Sequence, residues 1–94
     1  MTSKKINTNR KRIDAIDSRI LDLIQKRATL AKEIGNLKKK NATNRKASFY
    51  RPARESSIIR NLIKKNPGPI VDKKIKLIFK ELISACLSLE QQLN

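Results

Sequence analysis

The stretch N-R-K-R-I-D-A-I-D-S-R-I-L-D-L-I-Q-K-R-A-T-L-A-K-E-I-G-N-L-K-K-K, residues 9–40, carries apolar side chains at Ile13, Ile16, Ile20, Leu23, Leu30, Ile34 and Leu37. Steps of three and four residues over this length predict one long amphipathic α-helix. Ile24 and Ala31 widen the stripe. Thr8 or Asn9 is a suitable N-cap, which leaves residues 1–8 as a flexible N-terminus ahead of a single domain over residues 9–94. Asp14 and Asp17 then lie near the positive end of the helix dipole, and Lys38, Lys39 and Lys40 near the negative end. Gly35 inside the pattern costs about 1 kcal/mol relative to Ala, a cost consistent with a close packing contact.

Working outward, residues 41–51 lose the period and read as a loop. Pro52 suits the first turn of a second helix, whose apolar face is Ile58, Ile59, Leu62 and Ile63. Asn66-Pro67-Gly68-Pro69 stops it. A third helix is expected from Val71 or Asp72 to Leu93. Its apolar row is Ile75, Ile78, Phe79, Leu82, Ile83, Cys86, Leu89 and Leu93. No strand pattern and no internal repeat is present, so the fold class is all-α, with one long helix and two shorter ones.

Composition narrows the chemistry. The 94 residues include 23 Lys and Arg against 8 Asp and Glu, a formal charge of +15, with no His and one Cys. A disulfide framework and a Cys/His metal site are therefore excluded, as is a His-activated nucleophile. Apolar runs are too short for a membrane span or a signal-peptide core, so a cytoplasmic protein with no membrane partner is expected. A chain this basic binds polyanions non-specifically at low salt, but Phe49, Tyr50 and Phe79 are too few for single-strand stacking platforms.

The long helix also implies a partner. About 32 residues span about 48 Å, whereas a compact chain of this size has a radius of gyration of about 13 Å. Two shorter helices cannot cover such a stripe, so an intertwined helical homodimer with antiparallel long helices is expected.

Charged residues interrupt the apolar faces. Position 27, between Leu23 and Leu30, is Arg. Lys38 lies eleven residues later, close to three whole turns, and shares its face. Arg54 and Glu55 sit one turn before Ile58 and Ile59. Glu90 stands in the row of Phe79, Ile83 and Cys86. Any one of these could reach water by extending its side chain. Several on the inward faces of three helices, with a positive balance, instead describe a pocket for a small dianion, because an unpaired buried charge is strongly disfavoured.

These residues occur in a recognisable order: R-K-R-I-D-A-I-D (10–17), L-I-Q-K-R (23–27), L-A-K-E-I-G-N-L-K (30–38), F-Y-R-P-A-R-E (49–55), N-P-G-P-I (66–70) and I-F-K-E-L-I-S-A-C-L-S-L-E-Q (78–91). Together they resemble the all-helical class of chorismate mutases, above all the N-terminal mutase domain of bifunctional chorismate mutase–prephenate dehydratase proteins. The chain stops where the dehydratase domain of those proteins begins, which implies a free-standing mutase or a cut-down form of a longer enzyme.

The resemblance implies a homodimer with two active sites, converting chorismate to prephenate without cofactor or metal. By position it makes Arg10 the partner subunit's contribution to one substrate carboxylate, with Arg27 on the other. Lys38 and Glu90 face the ether oxygen, and Glu55 accepts from the ring hydroxyl. Arg54 orients Glu55. Arg51 stands where some members carry Asp, and Cys86 where many carry a small hydrogen-bonding residue. Glu90 would need its proton to donate. An isochorismate–pyruvate lyase on the same fold is the nearest alternative. A basic helical nucleic-acid-binding protein is the alternative outside enzymes.

Overall fold

The computed structural model describes residues 2–41 and 51–91. Among them lie three helices and no strand: α1 (Thr2–Asn41), α2 (Pro52–Lys65) and α3 (Asp72–Gln91). The all-α reading holds, with one long helix and two shorter ones. The expected loop lies mostly in residues 42–50, outside the described residues, as does Leu93.

The long helix starts earlier than its capping residues suggest. Residues 2–8, read from the sequence as a flexible lead-in, are helical. They contain no Gly or Pro to stop a helix, and Ile6 continues the apolar stripe seven residues before Ile13. Thr8 is no cap. Its hydroxyl donates to the Lys4 carbonyl at 3.0 Å, the back-bond of a helix-interior threonine. Asp14 and Asp17 are therefore several turns inside α1, beyond the reach of its N-terminal dipole. The basic last turn, Lys38 to Lys40, is where the sequence put it.

Pro52 opens α2 as its first helical residue, preceded by extended Arg51, whose carbonyl accepts from the Glu55 N–H at 3.1 Å. Asn66 ends α2 and organises the corner that follows. Its side-chain amide donates to the Ile70 carbonyl at 3.0 Å and to an Asp72 carboxylate oxygen at 2.7 Å. Its side-chain oxygen accepts from the Gly68 N–H at 3.2 Å. Gly68 has φ of +75°, a left-handed conformation that glycine adopts without a Cβ penalty. One asparagine thus couples the end of α2 to the start of α3. The Val71 carbonyl accepts the first α3 backbone bonds, from Lys74 and Ile75.

Helix α3 is the middle element, packed on α1 along one side and on α2 along the other. Ala31, Ile59 and Cys86, one residue from each helix, are the buried apolar side chains among the described residues. The contact between α1 and α3 is tightest at Gly35. A Cβ added there would stand 2.6 Å from both the Cα and the carbonyl oxygen of Glu90. The glycine foreseen as a packing contact is where two helix backbones meet.

The molecule is elongated, 65 × 28 × 15 Å, with a radius of gyration of 17.6 Å. A compact chain of this length would have about 12–13 Å. The excess is α1, whose N-terminal half extends past α2 and α3. There Ile13, Ile16, Ile20 and Leu23 are 47–61 % exposed. No described helix is long and apolar enough to cross a membrane.

Gly35→Ala is expected to lower stability. The substitution recovers about 1 kcal/mol of helix propensity, but overpacking against backbone typically costs about 1–3 kcal/mol. A urea midpoint below that of the parent, at equal protein concentration, is the expected result.

Candidate active site

Each helix sends charged side chains into one cavity of about 380 Å³. From α1 come Arg27 and Lys38, three turns apart as their eleven-residue spacing requires. Leu30, Ala31 and Ile34 form the apolar wall between them. From the first turn of α2 and the residue before it come Arg51, Arg54 and Glu55, with Ile58 behind. From α3 come Cys86 and Glu90, with Ile83 and Leu87 beside them. Four cationic groups thus face two carboxylates, a positive excess across apolar walls.

Local geometry explains each placement. Gly35 lets the α3 backbone approach at Glu90, and Lys38 is three residues further along the same face of α1. The Lys38 ammonium accordingly lies 3.6 Å from a Glu90 carboxylate oxygen, with the two side chains 27 % and 17 % exposed. Such partial burial strengthens electrostatic interactions relative to bulk water. Cys86, one turn before Glu90, is the most enclosed side chain of the site at 2 % exposure, with a free thiol. Pro52 starts α2 at a point that turns Arg51, Arg54 and Glu55 toward α1 and α3. Arg27 and Glu55 are half-buried, while Arg51 and Arg54 are exposed.

Arg27, Lys38, Arg51, Arg54, Glu55, Cys86 and Glu90 were all singled out in the sequence, and all line this cavity. Arg10 does not. It is exposed on α1, and seventeen residues of helix put it about 26 Å along the axis from Arg27. The apolar lining contributed by Leu30, Ile34, Ile58, Ile83 and Leu87 was visible in the sequence only as helix face. The periodic pattern marks an inward side without separating core from cavity wall. Phe49 and Tyr50 lie outside the described residues. Among the described residues no three His, Cys, Asp or Glu side chains gather closely enough to hold a metal ion.

Three packed helices around a cavity with a positive excess define a small all-helical protein. Residues 9–91 match the family model of chorismate mutase type II, and the chain belongs to that family. It is 41 % identical over 86 residues to the bifunctional chorismate mutase/prephenate dehydratase of Stutzerimonas stutzeri, covering 90 % of this chain and 24 % of that protein. To the enzyme of the same name from Neisseria gonorrhoeae it is 39 % identical over 86 residues, covering 92 % of this chain and 22 % of that one. The chain therefore spans about a quarter of the length of these curated relatives. Among solved structures, form II of the chorismate mutase from Thermus thermophilus superposes with a TM-score of 0.85 at 34 % identity, covering 96 % of this chain and 98 % of that chain.

Proposed function

We propose that this chain rearranges chorismate to prephenate, in the route to phenylalanine and tyrosine. The observation that carries this reading is the convergence of Arg27, Lys38, Arg51, Arg54, Glu55 and Glu90 on one cavity with a positive excess. The reaction is an intramolecular Claisen rearrangement. The ether C–O bond breaks as a C–C bond forms within the same molecule, and no atom is gained or lost. It calls for no nucleophile, metal or cofactor, only for holding the compact conformer and stabilising charge as it shifts.

Guanidinium forks match carboxylates in two parallel hydrogen bonds, which suits Arg27 to clamp one carboxylate of the dianion. Fixing the chair-like conformer removes much of the orientational cost of the reaction. As the C–O bond breaks, negative charge grows on the ether oxygen. Lys38, held 3.6 Å from Glu90, supplies a donor in place before the reaction begins, and Glu90 adds a second when it carries a proton. Glu55 accepts from the ring hydroxyl, and Arg54 holds Glu55 in position. Arg51 adds positive potential at the mouth of the cavity. Cys86 is a weak donor that fills the wall.

The second carboxylate is assigned to Arg10 of a second copy. Support comes from the uncovered stripe Ile13, Ile16, Ile20 and Leu23 on the same half of α1 as Arg10. A two-fold pairing of the long helices would bury this stripe. It would also carry Arg10 toward the other copy's cavity. The cytoplasm, where chorismate would be met, is the proposed site of action.

Three measurements test this reading. Addition of chorismate should cause loss of its diene absorbance, with isochorismate left unchanged. Arg27→Ala should lower kcat/KM on the order of 100-fold, corresponding to about 3 kcal/mol for an oriented charged donor. Turnover at the parent rate by Arg27→Ala, or none by the parent, would refute the assignment.

Glu90 donates to the ether oxygen only while it carries its proton. Glu90→Gln, whose amide is a donor without needing an added proton, is therefore expected to keep kcat at or above the parent value, while Glu90→Ala should lower it on the order of 100-fold. Equal loss of kcat in the two variants would remove Glu90 from the donor role.

Arg10→Ala and Arg27→Ala should each be nearly inactive alone, yet recover activity when refolded together. Random pairing gives half heterodimers with one intact site of two, so about a quarter of parental activity should return. No recovery would mean that Arg10 does not act across the interface.

A further inference from the structure

A second concave site lies between α2 and α3, outside the cavity assigned to chorismate. Its volume is about 430 Å³. Arg60 reaches it from α2, and Lys76 and Lys80 from α3. Glu55 and Ser56 stand on the α2 wall, with buried Ile59 at its base. Lys76 and Lys80 are four residues apart, so they are neighbours on one helix face, where like charges repel. Arg60 brings a third positive charge from the facing helix.

None of these three cations forms an ion pair with another described residue. The ion pairs among the described residues are Lys26 with Asp22 and Lys38 with Glu90. Glu55, the one carboxylate at this site, joins neither pair and also lines the first cavity. Three cations facing one carboxylate across a concave surface leave a local positive excess. Mutual repulsion of this kind is relieved by an anion that touches all three, and the Ser56 hydroxyl adds a neutral donor. Surface lysines spread over a convex helix offer no such convergence.

We propose that the cleft formed by Arg60, Lys76 and Lys80 is a binding site for a small multivalent oxyanion, separate from the chorismate cavity. The guanidinium supplies a planar pair of donors, and the two ammonium groups supply point charges from the opposite wall. That combination suits a phosphoryl group or a clustered set of carboxylates, and discriminates against a monovalent halide. The site stands independently of the assigned reaction, because it shares only Glu55 with the catalytic cavity.

Titration of the full chain with inorganic phosphate and, separately, with citrate tests the site. Backbone amide shifts are followed by NMR against sodium chloride of equal ionic strength. Saturable shifts are expected at residues 56–60 and 76–80 with phosphate, citrate or both, and none with chloride. The first cavity also attracts anions, so shifts at Lys38, Cys86 and Glu90 are scored separately. The exposed triple variant Arg60→Gln, Lys76→Gln, Lys80→Gln should weaken binding at residues 56–60 at least about tenfold, while shifts at the first cavity persist. A single Lys80→Glu variant should weaken it in the same direction. Shifts spread evenly over all basic faces would show only the non-specific attraction of a +15 chain and would overturn the proposal. Unchanged affinity in both variants would overturn it equally.

Discussion

Two helix backbones come together at Gly35, where no side chain separates α1 from Glu90 on α3. Much of the site follows from that approach. Lys38 lies less than one turn beyond Gly35 on α1, so the close crossing brings its ammonium to the Glu90 carboxylate. Cys86 lies one turn before Glu90 on α3, so it becomes the most enclosed side chain of the three helices. Helix α3 in turn carries α2, because the Asn66 side chain ties the end of one to the beginning of the other. A larger residue at 35 would push α3 outward and loosen the Lys38–Glu90 pair together with the wall that holds α2.

The charge of the chain has two different organisations. Most cations lie on exposed helical faces, where solvent and salt screen them. Arg27, Lys38, Arg51 and Arg54 instead line a cavity with apolar walls, where fields are stronger and the proposed dianion would give up its water to fixed donors. Such a site stores its electrostatic work in the fold. In the proposed reaction the donors would already be assembled when the ether bond begins to break, so little reorganisation would be needed at that moment. The same half of α1 that lies beyond this cavity leaves isoleucines and Leu23 open to solvent. In the proposed dimer, one surface would satisfy both the hydrophobic demand of that stripe and the need for a second carboxylate clamp.

Much of this was legible in residue order. The three-and-four spacing identified all three helices. Pro52 and the Asn66–Pro69 segment marked the start and end of α2. The spacing of Arg27 and Lys38 put them on one face. The start of α1 was not legible, because a good capping residue at Thr8 or Asn9 competes with the simple absence of any helix breaker before it. With Ile6 continuing the stripe and Thr8 satisfied by the Lys4 carbonyl, the helix runs on to Thr2. The second basic cleft was not legible either. Arg60, Lys76 and Lys80 each look like ordinary surface charges until two helices set them around one hollow.

Periodicity is a property of a single helix. Its 3.6-residue turn converts spacing directly into faces, so residue order alone established which side chains share a face of each helix and that charged groups stand among them. It could not establish distances between helices, which depend on the side chains present where the axes cross. Only the packed molecule decided that Glu90 meets Lys38, that Arg51 joins the cavity wall, and that Arg10 lies far from the cavity of its own chain. The physical reason is that helix faces are set by local backbone geometry, whereas crossing distances are set by volume, here by the missing side chain of Gly35.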